Sequence, residues 1–403
     1  MMEFDATNLT GSFDWLMPPS KSHMIRWLAL GSQSRGETNI SFEGVPGEDS
    51  FAMANCLAAM GSKIDFREGN WLIEGSKDGL YIPDHVLNCG NSGTTASVVS
   101  AMSACLKGDA KIDGDSSLRR RSSVGLCETL SQLGCEISSN SVPRTISGRI
   151  SSKDATIDWS GTSQGLTAMA LASPNLPNEI SLKTKGVHVS EGYWGLTKKI
   201  CSMSGKSIGI YRDELQLGPW EVCTPSLIEV CAEESLIPMA TLFSRIHGVT
   251  VRKNNVDEII GLKKAIDMLI AGSEILDLTH ASDIITPSAA IMAIGNGGRI
   301  TGCAHARGKE SDLISKTIEM LSAFGIKSME SSDGIIVPGG QEPTCPVDPV
   351  LTYSDHRMAM TAMIIASKPG GWVAGDDCVR ALFKFVHATF AHLCVVTRSG
   401  LVS

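Results

Sequence analysis

The chain has 403 residues, which is long for a single hydrophobic core and predicts two domains of about 200 residues each. Apolar residues make up 42% of the chain and charged residues 19%, as in ordinary globular proteins. The formal net charge of −8 disfavours nucleic-acid binding, because the protein as a whole repels polyanions. The twelve cysteines form no CxxC pair, and no apolar run is long enough for a membrane span or a signal peptide. We therefore expect a cytoplasmic protein with reduced thiols that binds neither metal, nucleic acid nor membrane.

One pattern recurs along the chain, a helix that ends in a glycine and is followed by a strand. The glycines are Gly61, Gly134, Gly205, Gly272 and Gly325, at intervals of about 70 residues and then a shorter one. Each stands where a helix needs a left-handed residue after its C-cap. In three cases a polar turn and a second short strand follow, at 69–76, 213–221 and 332–340, which predicts a hairpin. The pattern indicates small, repeated α/β units that must stack to bury their apolar faces.

The domain boundary has no obvious linker, since no glycine/serine-rich or proline-rich segment divides the chain. We place the boundary near residues 221–235 and expect the first 19 residues to join the second half. The hypothesis is a discontinuous domain of residues 1–19 and 227–403, with an inserted domain of residues 20–226.

The stretch PPSKSHMIRWLAL (18–30) places Lys21, Ser22 and Arg26 at the start of an apolar helix. The two prolines stop the preceding chain, and Ser22 can cap the helix. The cations are either chance surface charge or part of an anion site, because the free N–H groups of a helix N-terminus bind anions.

Six further segments share this design of polar, often cationic residues at the N-terminal end of an apolar helix. Taken singly, they read as a glycine turn, a solvated basic turn or an ordinary N-cap such as Asp283. Together they predict helix N-termini that converge on a strongly anionic substrate. The segments are 88–102 with Gly93, 113–130 with Arg121, 160–173 with Thr162, Ser163 and Gln164, 280–298 with Asp283, 306–321 with Lys309 and Glu310, and 352–366 with Asp355, His356 and Arg357.

The motifs SKSHMIR, GNSGTT, GDSSLRRR, SGTSQGLTAM, SDIITPSAAIMA, KESD and SDHRMAM follow one another between residues 20 and 366, and on them the chain resembles the enolpyruvyl transferase family. The resemblance implies an α/β fold of two similar domains, each of three small units with helices packed inside, an inside-out barrel with the active site in the interdomain cleft. It implies transfer of the enolpyruvyl group of phosphoenolpyruvate to the 5-hydroxyl of shikimate 3-phosphate, with release of phosphate. This step of aromatic amino-acid biosynthesis uses no metal or organic cofactor, and we expect a monomer.

The resemblance also implies roles for individual residues. Lys21 would contact both substrates and take part in proton transfer, Asp283 would act as base at the acceptor hydroxyl, and Glu310 would be an acid/base for the tetrahedral intermediate. Phosphoenolpyruvate would be bound by Lys21, Gly93, Arg121 and Arg357. Shikimate 3-phosphate would be bound by Ser22, Arg26, Thr162, Ser163, Gln164, Asp283 and Lys309.

The chain departs from the family pattern at several charged positions. Where the family has cations, this chain has Ser97, Glu191, Leu313 and Ala381, and Glu233 stands for an aspartate. Arg380 or Lys384 could compensate for Ala381, whereas Leu313 has no obvious substitute. Three interpretations stay open: a divergent but active enzyme for this reaction, an enolpyruvyl transferase for another phosphorylated acceptor, and a catalytically impaired homologue that only binds a phosphorylated ligand.

Overall fold

The structure is a computed structural model that describes residues 1–76, 78–308, 312–353 and 355–374. Its contacts divide the chain into two compact units. We call Met1–Pro18 with Ala232–Ser403 the discontinuous unit, and Pro19–Cys231 the inserted unit. Residues 227–230 fall in the inserted unit because they form a strand that pairs with residues 39–42 of that unit.

The helices account for most of the buried chain. In the described residues they are α1 (Lys21–Gly31), α2 (Glu48–Ala59), α3 (Gly93–Ala104), α4 (Ser116–Arg119), α5 (Val124–Gln132), α6 (Gln164–Ala172), α7 (Glu191–Met203), α8 (Ile237–His247), α9 (Leu262–Ile270), α10 (Ile285–Ile294), α11 (Leu313–Ala323) and α12 (His356–Ala366). Short 3-10 turns span Ser173–Asn175, Glu234–Leu236, Ser282–Ile284 and Ala304–Gly308.

The strands are short, as the hairpin pattern predicts. They are β1 (Met2–Phe4), β2 (Ser12–Trp15), β3 (Glu37–Phe42), β4 (Lys63–Arg67), β5 (Asn70–Glu74), β6 (Leu87–Asn88), β7 (Ala110–Asp113), β8 (Glu136–Ile137), β9 (Arg144–Ser147), β10 (Asp154–Asp158), β11 (Ile180–Lys185), β12 (Ile210–Tyr211), β13 (Glu214–Leu217), β14 (Leu227–Val230), β15 (Thr250–Lys253), β16 (Ile275–Asp277), β17 (Gly297–Thr301), β18 (Met329–Ser331), β19 (Gly334–Pro338) and β20 (Gly371–Val373).

The inserted unit contains three four-stranded sheets of one design. Their strand orders are β14-β3-β5-β4, β6-β7-β9-β8 and β10-β11-β13-β12. In each sheet the first two strands are parallel, and the other neighbours are antiparallel. The first sheet takes its outer strand from the end of the unit, which ties residues 227–230 back to its beginning.

The discontinuous unit repeats the same design once in full, in the sheet β16-β17-β19-β18. Its other described strands form two pairs, β2 parallel to β15 and β1 antiparallel to β20. Because β1 and β2 come from the first 18 residues, these pairs join the start of the chain to its second half.

The helices that begin at the predicted site segments are the most deeply buried. Every residue is buried from Thr95 to the end of α3, from Gly165 to the end of α6 and from Arg357 to the end of α12. Helix α10 is apolar on all sides, and nine of its ten residues are buried. The small residues of α3 and α6 let these two helices pack closely against each other. Helices packed inside, as the family resemblance implies, are thus confirmed.

The repeated local pattern is confirmed as well. All five predicted glycines have positive φ, between 74° and 113°, and follow helices that lead into strands. The three predicted hairpins are present as β4-β5, β12-β13 and β18-β19. In the described part of the chain, no helix is long and apolar enough to cross a membrane, and the cysteines there form no disulfide.

Candidate active site

Lys21 is the first residue of α1, and Ser20 occupies the N-cap position. The expectation that Ser22 caps the helix is therefore wrong: Ser22 is the second helical residue, because the extended backbone ends at Ser20, whose φ is −60° and ψ is 112°. The Lys21 ammonium forms an ion pair with Asp49 of α2, with 3.3 Å between Nζ and Oδ2. Lys21 thus stands at a helix N-terminus, as predicted, with a carboxylate beside it that the sequence reading did not identify.

Arg26 lies one turn further along α1 and is only 3% exposed. Its guanidinium donates to the Thr197 hydroxyl at 2.9 Å, the Thr167 hydroxyl at 3.3 Å, and the main-chain oxygens of Tyr193 at 2.9 Å and Ser22 at 2.8 Å. These bonds use four of the five N–H donors of an arginine and join α1 to α6 and α7. The structure therefore gives Arg26 a place in the helix packing, and a direct bond to shikimate 3-phosphate stays a prediction.

Gly93, Arg121 and Gln164 converge within the inserted unit. A Cβ atom added at Gly93 would lie 3.3 Å from Gln164 Oε1 and 3.5 Å from Arg121 Nη1. Arg121 donates to the Asn91 side-chain oxygen, and Gln164 Nε2 donates to the Thr94 hydroxyl at 3.3 Å. The three predicted residues come from separate motifs, and the structure brings them together at the N-terminal ends of α3 and α6.

The three consecutive arginines at 119–121 have different surroundings. Arg119 forms a bidentate pair with Asp113, at 2.9 and 2.6 Å, and this hydrogen bonding lowers the pKa of that carboxyl. Arg120 is exposed, whereas Arg121 is half-buried and turned toward Gly93. The interpretation of a solvated basic turn thus fits Arg119 and Arg120, and Arg121 alone faces the glycine turn.

Thr162 and Ser163 precede α6 and have different exposures. Thr162 is exposed, and its hydroxyl accepts a hydrogen bond of 3.2 Å from the main-chain N–H of Gln164. Ser163 is 4% exposed and occupies the N-cap position of α6. The turn places both hydroxyls beside Gln164, so that the three residues stand together at one helix end.

In the discontinuous unit, Arg357 lies between two carboxylates. Its Nη1 is 2.6 Å from Asp283 Oδ1, and its Nε and Nη2 are each 3.1 Å from the Asp355 carboxylate. Asp355 is fully buried and also caps α12 by accepting from the main-chain N–H of Arg357 at 2.9 Å. The side chain of Arg357 is 7% exposed and that of Asp283 is 28% exposed. Such a buried, charge-assisted network fixes both the arginine and the aspartate.

Asp283 is not a helix cap. It lies in the 3-10 turn Ser282–Ile284, and the N-cap residue of α10 is Ile284. The neighbouring Ser282 hydroxyl is 2.9 Å from His305 Nε2, which joins this turn to the turn Ala304–Gly308. The predicted residues Lys309 and Glu310 follow that second turn and lie outside the described residues.

The positions where this chain departs from the charged residues of the family pattern have different surroundings. Leu313 is fully buried as the first residue of α11, and Ser97 is 2% exposed with its hydroxyl donating to the Gly93 oxygen at 2.9 Å. Glu191 begins α7, where its carboxylate is 3.5 Å from His188 Nδ1. Glu233 accepts a hydrogen bond from the Ser235 hydroxyl at 2.9 Å. Ala381, Arg380 and Lys384 lie outside the described residues.

The residue that the sequence analysis missed is Asp49. The available signal was its position beside Glu48 in the first turn of a helix, which is also an ordinary place for an acid. Among the described residues, no group of three or more histidine, cysteine, aspartate or glutamate side chains is arranged to hold a metal ion.

Comparison with known proteins places these motifs in one family. A model of the EPSP synthase (3-phosphoshikimate 1-carboxyvinyltransferase) family matches residues 6–208 and 240–383. Two relatives named 3-phosphoshikimate 1-carboxyvinyltransferase are similar over most of the chain. That of Methanocorpusculum labreanum is 26% identical over 89% of this chain and 90% of its own. That of Caldicellulosiruptor saccharolyticus is 28% identical over 87% of this chain and 89% of its own.

A solved structure supports the same fold. The EPSP synthase of Acinetobacter baumannii aligns with a TM-score of 0.78 over 98% of this chain and 99% of its own, at 21% identity. At that identity the likeness shows the fold alone, whereas the family match covers more than half of the chain. The chain therefore belongs to the EPSP synthase (3-phosphoshikimate 1-carboxyvinyltransferase) family.

Proposed function

We propose that this chain transfers the enolpyruvyl group of phosphoenolpyruvate to the 5-hydroxyl of shikimate 3-phosphate and releases inorganic phosphate. The observation that carries the proposal is the family match, which includes residues 6–208 and 240–383. Within these ranges Lys21, Arg121, Asp283 and Arg357 are retained.

Phosphoenolpyruvate is bound by cationic side chains, in a space that a glycine leaves open. Arg121 presents a planar guanidinium suited to carboxylate or phosphate oxygens, and Lys21 and Arg357 supply further charge. Gly93 leaves room between Gln164 and Arg121, because a side chain there would fill the space beside both.

Shikimate 3-phosphate is bound by hydroxyls, an amide and cations. Thr162 and Ser163 stand beside Gln164 at the start of α6, where hydroxyl and amide groups suit the hydroxyls and phosphate oxygens of this acceptor. We keep Ser22, Arg26, Asp283 and Lys309 as further binding residues, with Arg26 contributing mainly by holding α1 against α6 and α7.

The reaction needs one proton added and one removed at each stage. An acid protonates the methylene carbon of phosphoenolpyruvate while a base takes the proton of the acceptor hydroxyl, and the new C–O bond gives a tetrahedral intermediate. The intermediate then loses a proton from its methyl carbon to a base, and its C–O bond to the phosphate breaks as an acid protonates the departing phosphate oxygen. We assign these transfers to Lys21 and Glu310, with Asp283 as base at the acceptor hydroxyl.

The ion pair with Arg357 suits the role proposed for Asp283. A guanidinium 2.6 Å from Asp283 Oδ1 holds the carboxylate in a fixed orientation, which a base at the acceptor hydroxyl needs. Asp355 holds the other side of the same guanidinium and so limits how far Arg357 can move from Asp283. The geometry supports a coupled arrangement in which Arg357 both orients Asp283 and supplies positive charge.

We also propose that the protein acts as a monomer in the cytoplasm on these two small substrates, without nucleic acid or membrane. The net charge of −8 supports the exclusion of polyanions. The absence of disulfides among the described cysteines supports a reducing compartment.

The test is phosphate release by the purified protein with each substrate alone and with both together. Lys21→Ala should abolish release, because it removes the proposed proton-transfer group. The matched control is Lys63→Ala, which removes a lysine whose side chain is 79% exposed in the same unit and should leave release unchanged. Release that requires both substrates and Lys21 supports the proposal. No release, with shikimate 3-phosphate still bound, would contradict it and indicate a binding function alone.

A further inference from the structure

Two buried cysteines of the inserted unit lie against each other. Cys56 is on α2 and is 2% exposed, and its thiol donates to the main-chain oxygen of Asn88 at 3.4 Å. Cys89, the next residue after Asn88, is fully buried. Hydrogen bonding with the Cys56 thiol, and burial after it, raise the pKa of the Cys89 thiol well above its usual value. The two sulfur atoms are therefore in direct contact, although they belong to α2 and to the segment that follows β6.

One of the two thiols can be reached from solvent through a cavity. A surface cavity of about 370 Å³ lies between α2 and the segment 85–90, and Cys56 is among its lining residues whereas Cys89 is not. Exposed residues such as Asn55 and His85 also line this cavity, so it opens to solvent. A small oxidant can therefore reach the Cys56 sulfur, while Cys89 is shielded.

The surroundings of the two thiols suit them to different chemical roles. The thiolate is the nucleophile in thiol oxidation, and a raised pKa leaves little thiolate at neutral pH. The raised pKa of Cys89 therefore makes it the poorer first nucleophile. The Arg144 guanidinium, whose residue is 4% exposed, opposes this rise and so stabilises negative charge on the Cys89 sulfur. Cys56 thus suits the first attack on an oxidant, and Cys89 the second attack on Cys56.

We propose that Cys56 and Cys89 form a reversible oxidation site, at which a peroxide converts the two thiols to a disulfide that weakens the binding of phosphoenolpyruvate. The Cys56 thiolate attacks one oxygen of hydrogen peroxide, the O–O bond breaks, and Cys56 becomes a sulfenic acid. The Cys89 thiolate then attacks the Cys56 sulfur, and the S–O bond breaks as the S–S bond forms. The two thiol protons leave in the two water molecules, so that the thiols are oxidised and the peroxide is reduced.

The disulfide would displace the turn that begins α3. An S–S bond is about 2.05 Å long, so the two sulfurs must come closer than they are in hydrogen-bonding contact. The main-chain N–H of Cys89 donates to Asp113 at 2.8 Å, and its oxygen accepts from Ser92, the N-cap of α3, at 3.0 Å. A shift of Cys89 therefore carries Ser92 and Gly93 with it. The effect on binding rests on the function proposed above, in which Gly93 lines the phosphoenolpyruvate site, whereas formation of the disulfide does not.

The first test detects the disulfide without any turnover. The reduced protein is treated with hydrogen peroxide, and its peptides, prepared without reductant, are mapped by mass spectrometry. We expect a linked peptide that contains Cys56 and Cys89 and that dithiothreitol separates. The exposed thiols of Cys223 and Cys345 show whether enough oxidant was present. Oxidation of these two, with Cys56 and Cys89 still as thiols, would overturn the proposal.

Single variants test the order of attack. In Cys89→Ser, peroxide should leave Cys56 as a sulfenic acid that dimedone traps, because no second thiol is within reach. In Cys56→Ser, Cys89 should remain a thiol, because it does not line the cavity. The matched control is Cys201→Ser, which removes a fully buried thiol of the same unit and should leave the linked peptide unchanged. A dimedone adduct on Cys89 in Cys56→Ser, with none on Cys56 in Cys89→Ser, would refute the assigned roles.

The second test measures the effect of the disulfide on substrate binding. Peroxide should raise the KM for phosphoenolpyruvate at least about tenfold in the wild type, because a binding turn displaced by about 1 Å costs that much or more. Dithiothreitol should restore the original KM. Cys56→Ala, which cannot form the disulfide, should show no rise and so controls for oxidation elsewhere in the protein. A KM that stays within about twofold once the linked peptide has formed would overturn the effect on binding.

The two tests separate the oxidation site from the proposed function. If the wild type releases no phosphate, the proposed function fails, yet peptide mapping still decides whether Cys56 and Cys89 form a disulfide. If phosphate is released but no linked peptide forms, the oxidation site alone fails. The mapping uses the wild-type protein, so its result does not depend on whether any cysteine variant folds.

Discussion

Gly93→Ala is a sharp test of the cluster formed by Gly93, Arg121 and Gln164. The added methyl would lie 3.3 Å from Gln164 Oε1, and 3.5 Å from both Gln164 Nε2 and Arg121 Nη1. The contact at 3.3 Å is tighter than nine in ten real Cβ contacts, so Gln164 must move by a few tenths of an ångström. The neighbours are the ends of flexible side chains, and we therefore expect the fold to persist while the ligand-binding geometry changes.

The expected rise in KM for phosphoenolpyruvate follows from the hydrogen bonds that the added methyl would disturb. A hydrogen bond to a charged group contributes about 1.5–3 kcal/mol, so losing one from phosphoenolpyruvate corresponds to roughly a 10- to 150-fold rise in KM. The assay is phosphate release with phosphoenolpyruvate varied at saturating shikimate 3-phosphate. Gly195→Ala is the matched control, because a Cβ at that position in α7 meets nothing within 4 Å. A KM for phosphoenolpyruvate within about twofold of the wild type in Gly93→Ala would refute the assignment of this cluster.

Two further predictions concern buried carboxyl groups. Asp355→Ala should lower the free energy of unfolding by about 3 kcal/mol, because it leaves the buried Arg357 with one fewer partner and removes the cap of α12. Asp355→Asn keeps a good cap and should recover about 1 kcal/mol of that loss, and equal urea midpoints for the two variants would contradict this. Burial raises the pKa of Glu234 from 4.5 to about 7, although the main-chain N–H of Ile259 donates to its carboxylate at 2.7 Å. The folded protein then holds a proton that the unfolded chain releases, so the free energy of unfolding should fall by up to about 3 kcal/mol as the pH rises from 4.5 to above 7. Urea unfolding across this pH range should show this fall in the free energy of unfolding in the wild type and a smaller fall in Glu234→Gln. Equal falls in the two proteins would refute the assignment of the pH dependence to Glu234.

Local rules predicted much of the fold. A glycine after the last helical residue is nearly sufficient to fix a helix end, because only glycine adopts the left-handed conformation there without strain. The five predicted glycines therefore marked real helix ends, and the polar turns after three of them marked real hairpins. Helices that are apolar on all sides could likewise be read as buried, as α10 shows.

The same local rules could not predict contacts between residues that are far apart in the sequence. Asp283 and Arg357 are 74 positions apart, and their spacing in the sequence does not predict that the Arg357 guanidinium donates to the Asp283 carboxylate. The ion pair of Lys21 with Asp49 has the same character, since it depends on how α1 packs against α2. The N-cap of α1 is Ser20 and not Ser22. The prolines before these two serines predict that a helix begins nearby, but they do not distinguish which serine caps it.

Two positions where the family resemblance implies cations, Ser97 and Leu313, are uncharged in this chain. Leu313 is fully buried and Ser97 is 2% exposed with its hydroxyl bonded to a main-chain oxygen, so both positions now serve packing within their own helices. An arginine placed at either position on this backbone would bury a charge, which costs several kcal/mol unless a partner is provided. The proposed activity therefore depends on the retained cations, two of which, Lys21 and Arg357, form ion pairs with Asp49 and Asp355.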